Sequence, residues 1–302
     1  MPHDNLKSFA AHADRSRIRF RFIGLRRSGN HGLISWVIQN TPGRNKVFYN
    51  NCRPTADPFI RFPQAQLFGS YEGTYQKKDY INLLTGQPDY LSRVNTFFIS
   101  YEDVSLRALA SASVRPLSAG CEEQIPRTVY VLRDFANWAA SFWPHLGRKI
   151  GSKDPSVGQP LRHMAEFMRM CGMWKDNMQL VRDPDFCERH SVTVLRYDDW
   201  TRDEAYRRKA LKALSLTAKK VDIPEVSTFG GGSSFDGLSK QGDPQAMKTG
   251  ERWKLMIETP QFRQMMLLCL SDDAFREIFA DEYPDSATQL MDALDLPAVQ
   301  MA

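Results

Sequence analysis

RIRFRFIGLRRSGNHGLISWVIQN, residues 17–40, decides the fold of this chain. Its first part alternates and then turns apolar, the pattern of a strand running into a core. Its second part, from Asn30, is rich in apolar residues and stops ahead of Pro42–Gly43, the pattern of a helix with a defined end. Between them lies Gly24-Leu-Arg-Arg-Ser-Gly29. Strand, G-x-x-x-x-G and helix form the frame of a phosphate-binding loop. Successive backbone N–H groups make an anion-holding concavity there, and the helix N-terminus adds positive potential. A nucleoside triphosphatase needs Lys and then Ser/Thr at the next two positions, for the β/γ-phosphates and for Mg²⁺. Asn30 and His31 stand there instead, and two arginines, Arg26 and Arg27, lie inside the loop. The loop keeps the phosphate cradle and lacks the magnesium-holding hydroxyl.

Further strands are expected at KVFYNN (46–51), NTFFISYEDV (95–104), TVYVLRD (128–134) and SVTVLRYDDW (191–200). Helical spacing follows from Phe135 and over 160–181, 202–216 and most of 252–295. Residues 52–94 carry no sustained period and read as long connections with one short helix. Strands alternating with helices predict an α/β fold: a P-loop-NTPase-like central parallel sheet flanked by helices on both faces. Residues 1–16 read as a flexible tail and 17–302 as one α/β domain. The polar clusters RRSGN, SYED, RDFAN and RYDDW all follow strands, where such sheets bind ligands.

Composition narrows the classes of function. Of 302 residues, 42% are apolar, which excludes disorder of the whole chain. Apolar runs such as Leu33 to Ile38 fall far short of the ~20 residues that a bilayer span needs. The N-terminus has no apolar core of a secretory signal, so a cytoplasmic location is expected. Cys52, Cys121, Cys171, Cys187 and Cys269 are scattered with no CxxC, so neither a disulfide framework nor a zinc site is expected. A net charge of +5 suits a small anionic ligand, and no basic stripe points to nucleic acid.

A second anion signal lies in TVYVLRDFANWAASFW. Arg133 ends the strand and Ser141 lies eight residues on, two helical turns away and able to return to the same rim. Arg offers a bidentate fork and Ser one further donor. Here the sequence resembles the sulfotransferases that use 3′-phosphoadenosine 5′-phosphosulfate (PAPS). Arg27-Ser28-Gly29 is similar to the core of that family's 5′-phosphosulfate loop, and Leu132-Arg133-Asp134 with Ser141 to its 3′-phosphate motif. Tyr197-Asp198-Asp199-Trp200 resembles a third element, the loop ending at Phe235 an adenine-side element, and Lys248 to Trp253 the C-terminal motif. The likeness spans about residues 17–255, in the family's order.

The resemblance implies PAPS as co-substrate, adenosine 3′,5′-bisphosphate (PAP) as product, no metal, and a hydroxyl or amine of a small-molecule or carbohydrate acceptor. It implies donor contacts from Arg26, Arg27, Ser28, Gly29, Asn30, His31, Arg133, Ser141, Tyr197, Phe235 and Lys248. Arg27 would stabilise the leaving group. The family's base lies near the end of the strand between the two phosphate motifs. Glu102 is the first candidate here, with Asp103 and His31 as rivals. At a helix start His31 is expected to be neutral and to donate to the sulfuryl oxygens. The alternative is a P-loop kinase or NTPase, which the absent GK[ST] opposes. Trp138, Phe142, Trp143 and Trp174 are expected in the core.

Overall fold

The computed structural model describes residues 14–110, 126–150, 158–224 and 250–297. A seven-stranded sheet runs in the order β4-β3-β2-β5-β1-β6-β7. Its strands are β1 (Ile18–Gly24), β2 (Lys46–Asn50), β3 (Gln64–Phe68), β4 (Gly73–Gln76), β5 (Thr96–Glu102), β6 (Arg127–Leu132) and β7 (Val192–Arg196). The five strands from β2 to β7 in that order are parallel. The expected α/β fold is what the chain adopts. One edge differs from it: β3 and β4 are antiparallel additions from the stretch read as connections. Their alternation is short and only half-buried, too weak a period to stand out in sequence.

Alternate residues of the central strands enter different cores, as side chains on a pleated strand must. Phe20 and Phe22 of β1, Phe98 of β5, and Val129 and Val131 of β6 pack on one face. That face is covered by α1 (Asn30–Asn40) and, among later elements, by the helix Glu204–Ala213. Ile23, Phe97, Ile99, Tyr130 and Leu132 face the other core. There lie α2 (Lys77–Gly86), α3 (Phe135–Ile150) and α4 (Gly158–Val181), with the tail helices. In chain order the later helices are α5 (Pro184–Arg189), α6 (Tyr197–Arg202), α7 (Glu204–Ala213), α8 (Arg252–Met256), α9 (Pro260–Leu270), α10 (Asp273–Glu282) and α11 (Pro284–Ala293). Of the four aromatics expected in the core, Trp138, Phe142 and Trp174 are fully buried and Trp143 is partly buried against them.

The 191–200 stretch divides earlier than the sequence suggests. The strand stops at Arg196, and Tyr197-Asp198-Asp199-Trp200 opens α6. Among the described residues, no helix is long and apolar enough to cross a membrane.

The helices after β1 and β6 leave toward opposite faces, α1 to one core and α3 to the other. The carboxyl ends of these neighbouring strands therefore border a crevice, the place where open α/β sheets bind ligands.

Candidate active site

Register sets the site. Gly24, the last residue of β1, lies beside Glu102 on β5 and Val131 on β6. Leu132 lies beside Arg196, so Arg133 and Tyr197 leave the sheet together. Past Gly24 the chain turns tightly: the Ser28 N–H donates to the Leu25 carbonyl at 3.1 Å. Arg27 (φ 71°) and Gly29 (φ 87°) adopt left-handed conformations. A Cβ on Gly29 would run into the Tyr197 ring, so glycine is required twice over, for φ and for space. The loop is gripped from β6 and α3. Trp138 Nε1 donates to the Arg26 carbonyl (2.9 Å) and Arg133 Nη1 to the Arg27 carbonyl (2.8 Å). Gly29, Asn30 and His31 stand at the start of α1, where a helix turns its first backbone N–H groups toward an anion. Ser28 departs from the expected cradle, because its N–H closes the turn.

A second cluster lies next to the loop. Arg133 Nη1 donates to Ser141 Oγ at 3.2 Å, and Arg252 Nη1 donates to the same oxygen at 3.0 Å. Ser141 is 0% exposed, Arg133 3% and Arg252 5%. The eight-residue spacing thus brings strand end and helix together. The Arg133 guanidinium also lies 5.2 Å from the centre of the Tyr197 ring, a cation–π distance. Asn137 clamps Arg252 in place. Its Oδ1 accepts from the Arg252 N–H (2.9 Å), while its Nδ2 donates to the Gly250 carbonyl (3.1 Å) and to Asp134 Oδ1 (3.0 Å).

Behind this cluster two acids are buried together: the Asp134 N–H donates to Asp198 Oδ2 at 2.7 Å. Burial, and then the neighbouring Asp198 carboxylate, push the Asp134 carboxyl up to about 6. Burial likewise raises Asp198, against the pull of Arg133.

On the β5 side, Glu102 Oε1 accepts from Asn30 Nδ2 (3.3 Å) and lies 3.7 Å from His31 Nε2. Burial, and then the charge of Arg27, push His31 down to about 4, so the imidazole is neutral at neutral pH. The three candidates for the base separate here. Glu102 and His31 are neighbours. Asp103 is engaged: its carboxylate accepts from the Arg26 N–H (2.8 Å) and is paired with the Arg26 side chain. Arg26 Nη2 also lies 3.9 Å from Glu166. Arg26, expected among the donor contacts, is therefore held by acids at the rim.

Loop, Arg133, Ser141, Tyr197, Glu102 and His31 meet at one end of the sheet, while Phe235 and Lys248 lie outside the described residues. Sequence reading missed Arg252 and its clamp Asn137. The signal was there, an arginine inside GERWK directly before the buried Trp253, but its partners lie 111 and 115 residues away in the chain. Among the described residues, no group of three or more His, Cys, Asp or Glu is placed to hold a metal ion.

No family model matches the chain, and no curated protein matches it by sequence. Among solved structures the chain is similar to mouse sulfotransferase SULT7A1 complexed with PAP. The likeness has 14% identity and a TM-score of 0.43, over 96% of this chain and 94% of that one.

Proposed function

We propose that this protein moves a sulfuryl group from PAPS to a hydroxyl or amine of a small-molecule or carbohydrate acceptor. One observation carries the reading: two buried guanidiniums, Arg133 and Arg252, converge on Ser141 Oγ beside a phosphate-loop frame that lacks GK[ST]. Two forked cations and a hydroxyl suit a phosphate dianion. The opening of α1 suits a second phosphate. A donor with phosphate groups at two separate positions fits that pair of anion holders.

PAPS supplies the activated sulfur, and the chain supplies position and charge. The acceptor oxygen or nitrogen forms its bond to sulfur as the bond from sulfur to the 5′-phosphate oxygen breaks. Glu102 takes the acceptor's proton. Arg27 and the first amides of α1 stabilise the charge left on the 5′-phosphate. His31, neutral beside Arg27, donates to the sulfuryl oxygens.

Thermal melts without ligand, with PAP, and with ATP plus Mg²⁺ test the reading. PAP at a hundred times its Kd stabilises the folded state by about 2.7 kcal/mol and raises the midpoint. A shift with Mg-ATP and none with PAP would replace the reading with kinase-type chemistry.

A further inference from the structure

We infer that the Asn30 side chain is the positioning residue of this site, locking the base Glu102 to the phosphate loop through space that Gly24 leaves open. The inference rests on the sulfuryl-transfer reading and assigns a role to a side chain so far counted only for its backbone. Asn30 is 6% exposed, at the first position of α1 where a triphosphatase carries its lysine. Its Nδ2 donates to two acceptors, the Leu25 carbonyl at 3.1 Å and Glu102 Oε1 at 3.3 Å. Only an NH₂ group serves two acceptors, so the orientation of the amide is fixed. The other end, Oδ1, points back at Gly24. A Cβ on Gly24 would collide with Asn30 Oδ1 and crowd Asn30 Cγ at 3.0 Å and Val131 Cβ at 3.2 Å.

One amide thus spans the start of the loop, the first turn of α1 and the end of β5. The same loop is to hold the 5′-phosphate, and the same carboxylate is to take the acceptor's proton. Tying them together fixes the distance between base and sulfur. Among the described residues, His31 on α1 lies beside Glu102, and Asp103, next in the chain, is paired with Arg26.

The test uses the whole chain, a turnover assay with PAPS and an acceptor, and melts with PAP. In Asn30→Ala, kcat falls roughly 100-fold, the scale of a misplaced reacting group, while Kd for PAP is nearly unchanged because the backbone N–H remains. The acid limb of its kcat profile moves to higher pH, since a carboxylate that loses a donor holds its proton more tightly. Gly24→Ala also lowers kcat, because its Cβ displaces the amide, although it crowds Val131 as well. Asn30→Ala adds little to Glu102→Gln. Wild-type turnover with an Asn30→Ala variant unchanged in kcat and pH profile overturns the inference alone. A wild-type chain with neither turnover nor a PAP shift overturns the transfer reading, and the inference with it.

Discussion

At the residue scale the site turns on two buried guanidiniums that meet at one hydroxyl. Arg133 and Arg252 share one hydroxyl, so each is worth most with an anion present. If the proposed function holds, Arg133→Ala and Arg252→Ala should each weaken PAP binding by about 2–3 kcal/mol, and the double variant should lose less than the sum, because both would act on one phosphate. Calorimetric titration with PAP measures this, and an unchanged Kd in either variant removes that arginine from the site. His31 and Asp134 give a second prediction. The His31 pKa falls from 6.5 to about 4 on folding, so the unfolded chain binds more protons between those values and stability drops as pH falls through that window. Burial raises both Asp134 and Asp198 above the usual carboxylate range, so the folded chain binds more protons and stability drops as pH rises through mildly acidic values. The two slopes oppose each other. His31→Gln should leave a protein that weakens as pH rises from 4 to 6, and the double variant Asp134→Asn, Asp198→Asn one that strengthens over the same range. Denaturant melts across pH decide it, and parallel slopes in the two variants would refute the assignment.

At the element scale the strand–loop–helix unit works because its turn is closed on all sides. Ser28 closes it from within, Trp138 and Arg133 hold its carbonyls, and Tyr197 lies over Gly29. Gly29→Ala should cost about 1–3 kcal/mol of stability, from the left-handed φ and the displaced ring, and should weaken PAP binding as the opening amides of α1 shift. A thermal melt of the variant within 1 °C of wild type, with PAP affinity intact, would show that the loop does not need that contact. This unit was legible in sequence because its signals are local: an alternating strand, two glycines at fixed spacing, and an apolar helix. Arg133 and Ser141 were legible for the same reason, eight residues apart on one strand–helix turn. The antiparallel pair β3 and β4 was not, since its half-buried alternation is four or five residues long. Tyr197 was read as a candidate site residue at the end of a strand, not as a helix start. No capping side chain marks the boundary after Arg196, and the apolar run before it carries the strand pattern onward. Arg252 and the pairing of Arg26 with Asp103 were hidden because their partners are set by tertiary packing, not by spacing.

At the scale of the whole molecule, the sheet collects strand ends and the later helices close over them. Arg133 comes from a central strand buried on both faces, whereas Arg252 comes from α8, past the last strand of the sheet. Ser141 and Asn137 on α3 join them: the Ser141 hydroxyl accepts from both, and Asn137 accepts from the Arg252 N–H. A phosphate held by both arginines therefore links the carboxyl-terminal helices to the sheet by a second route. Local opening of a short helix is governed by such links more than by its own few hydrogen bonds. Amide hydrogen exchange followed by mass spectrometry should show PAP slowing exchange in two separate segments, the loop 25–31 and the stretch 250–256. In Arg252→Ala at saturating PAP, protection should persist in the loop and disappear from 250–256. In Arg133→Ala both should weaken, because Arg133 also holds the Arg27 carbonyl. Protection confined to the loop in the wild-type chain would mean that α8 takes no part in holding the donor and that Arg252 serves only to pack α8 against α3.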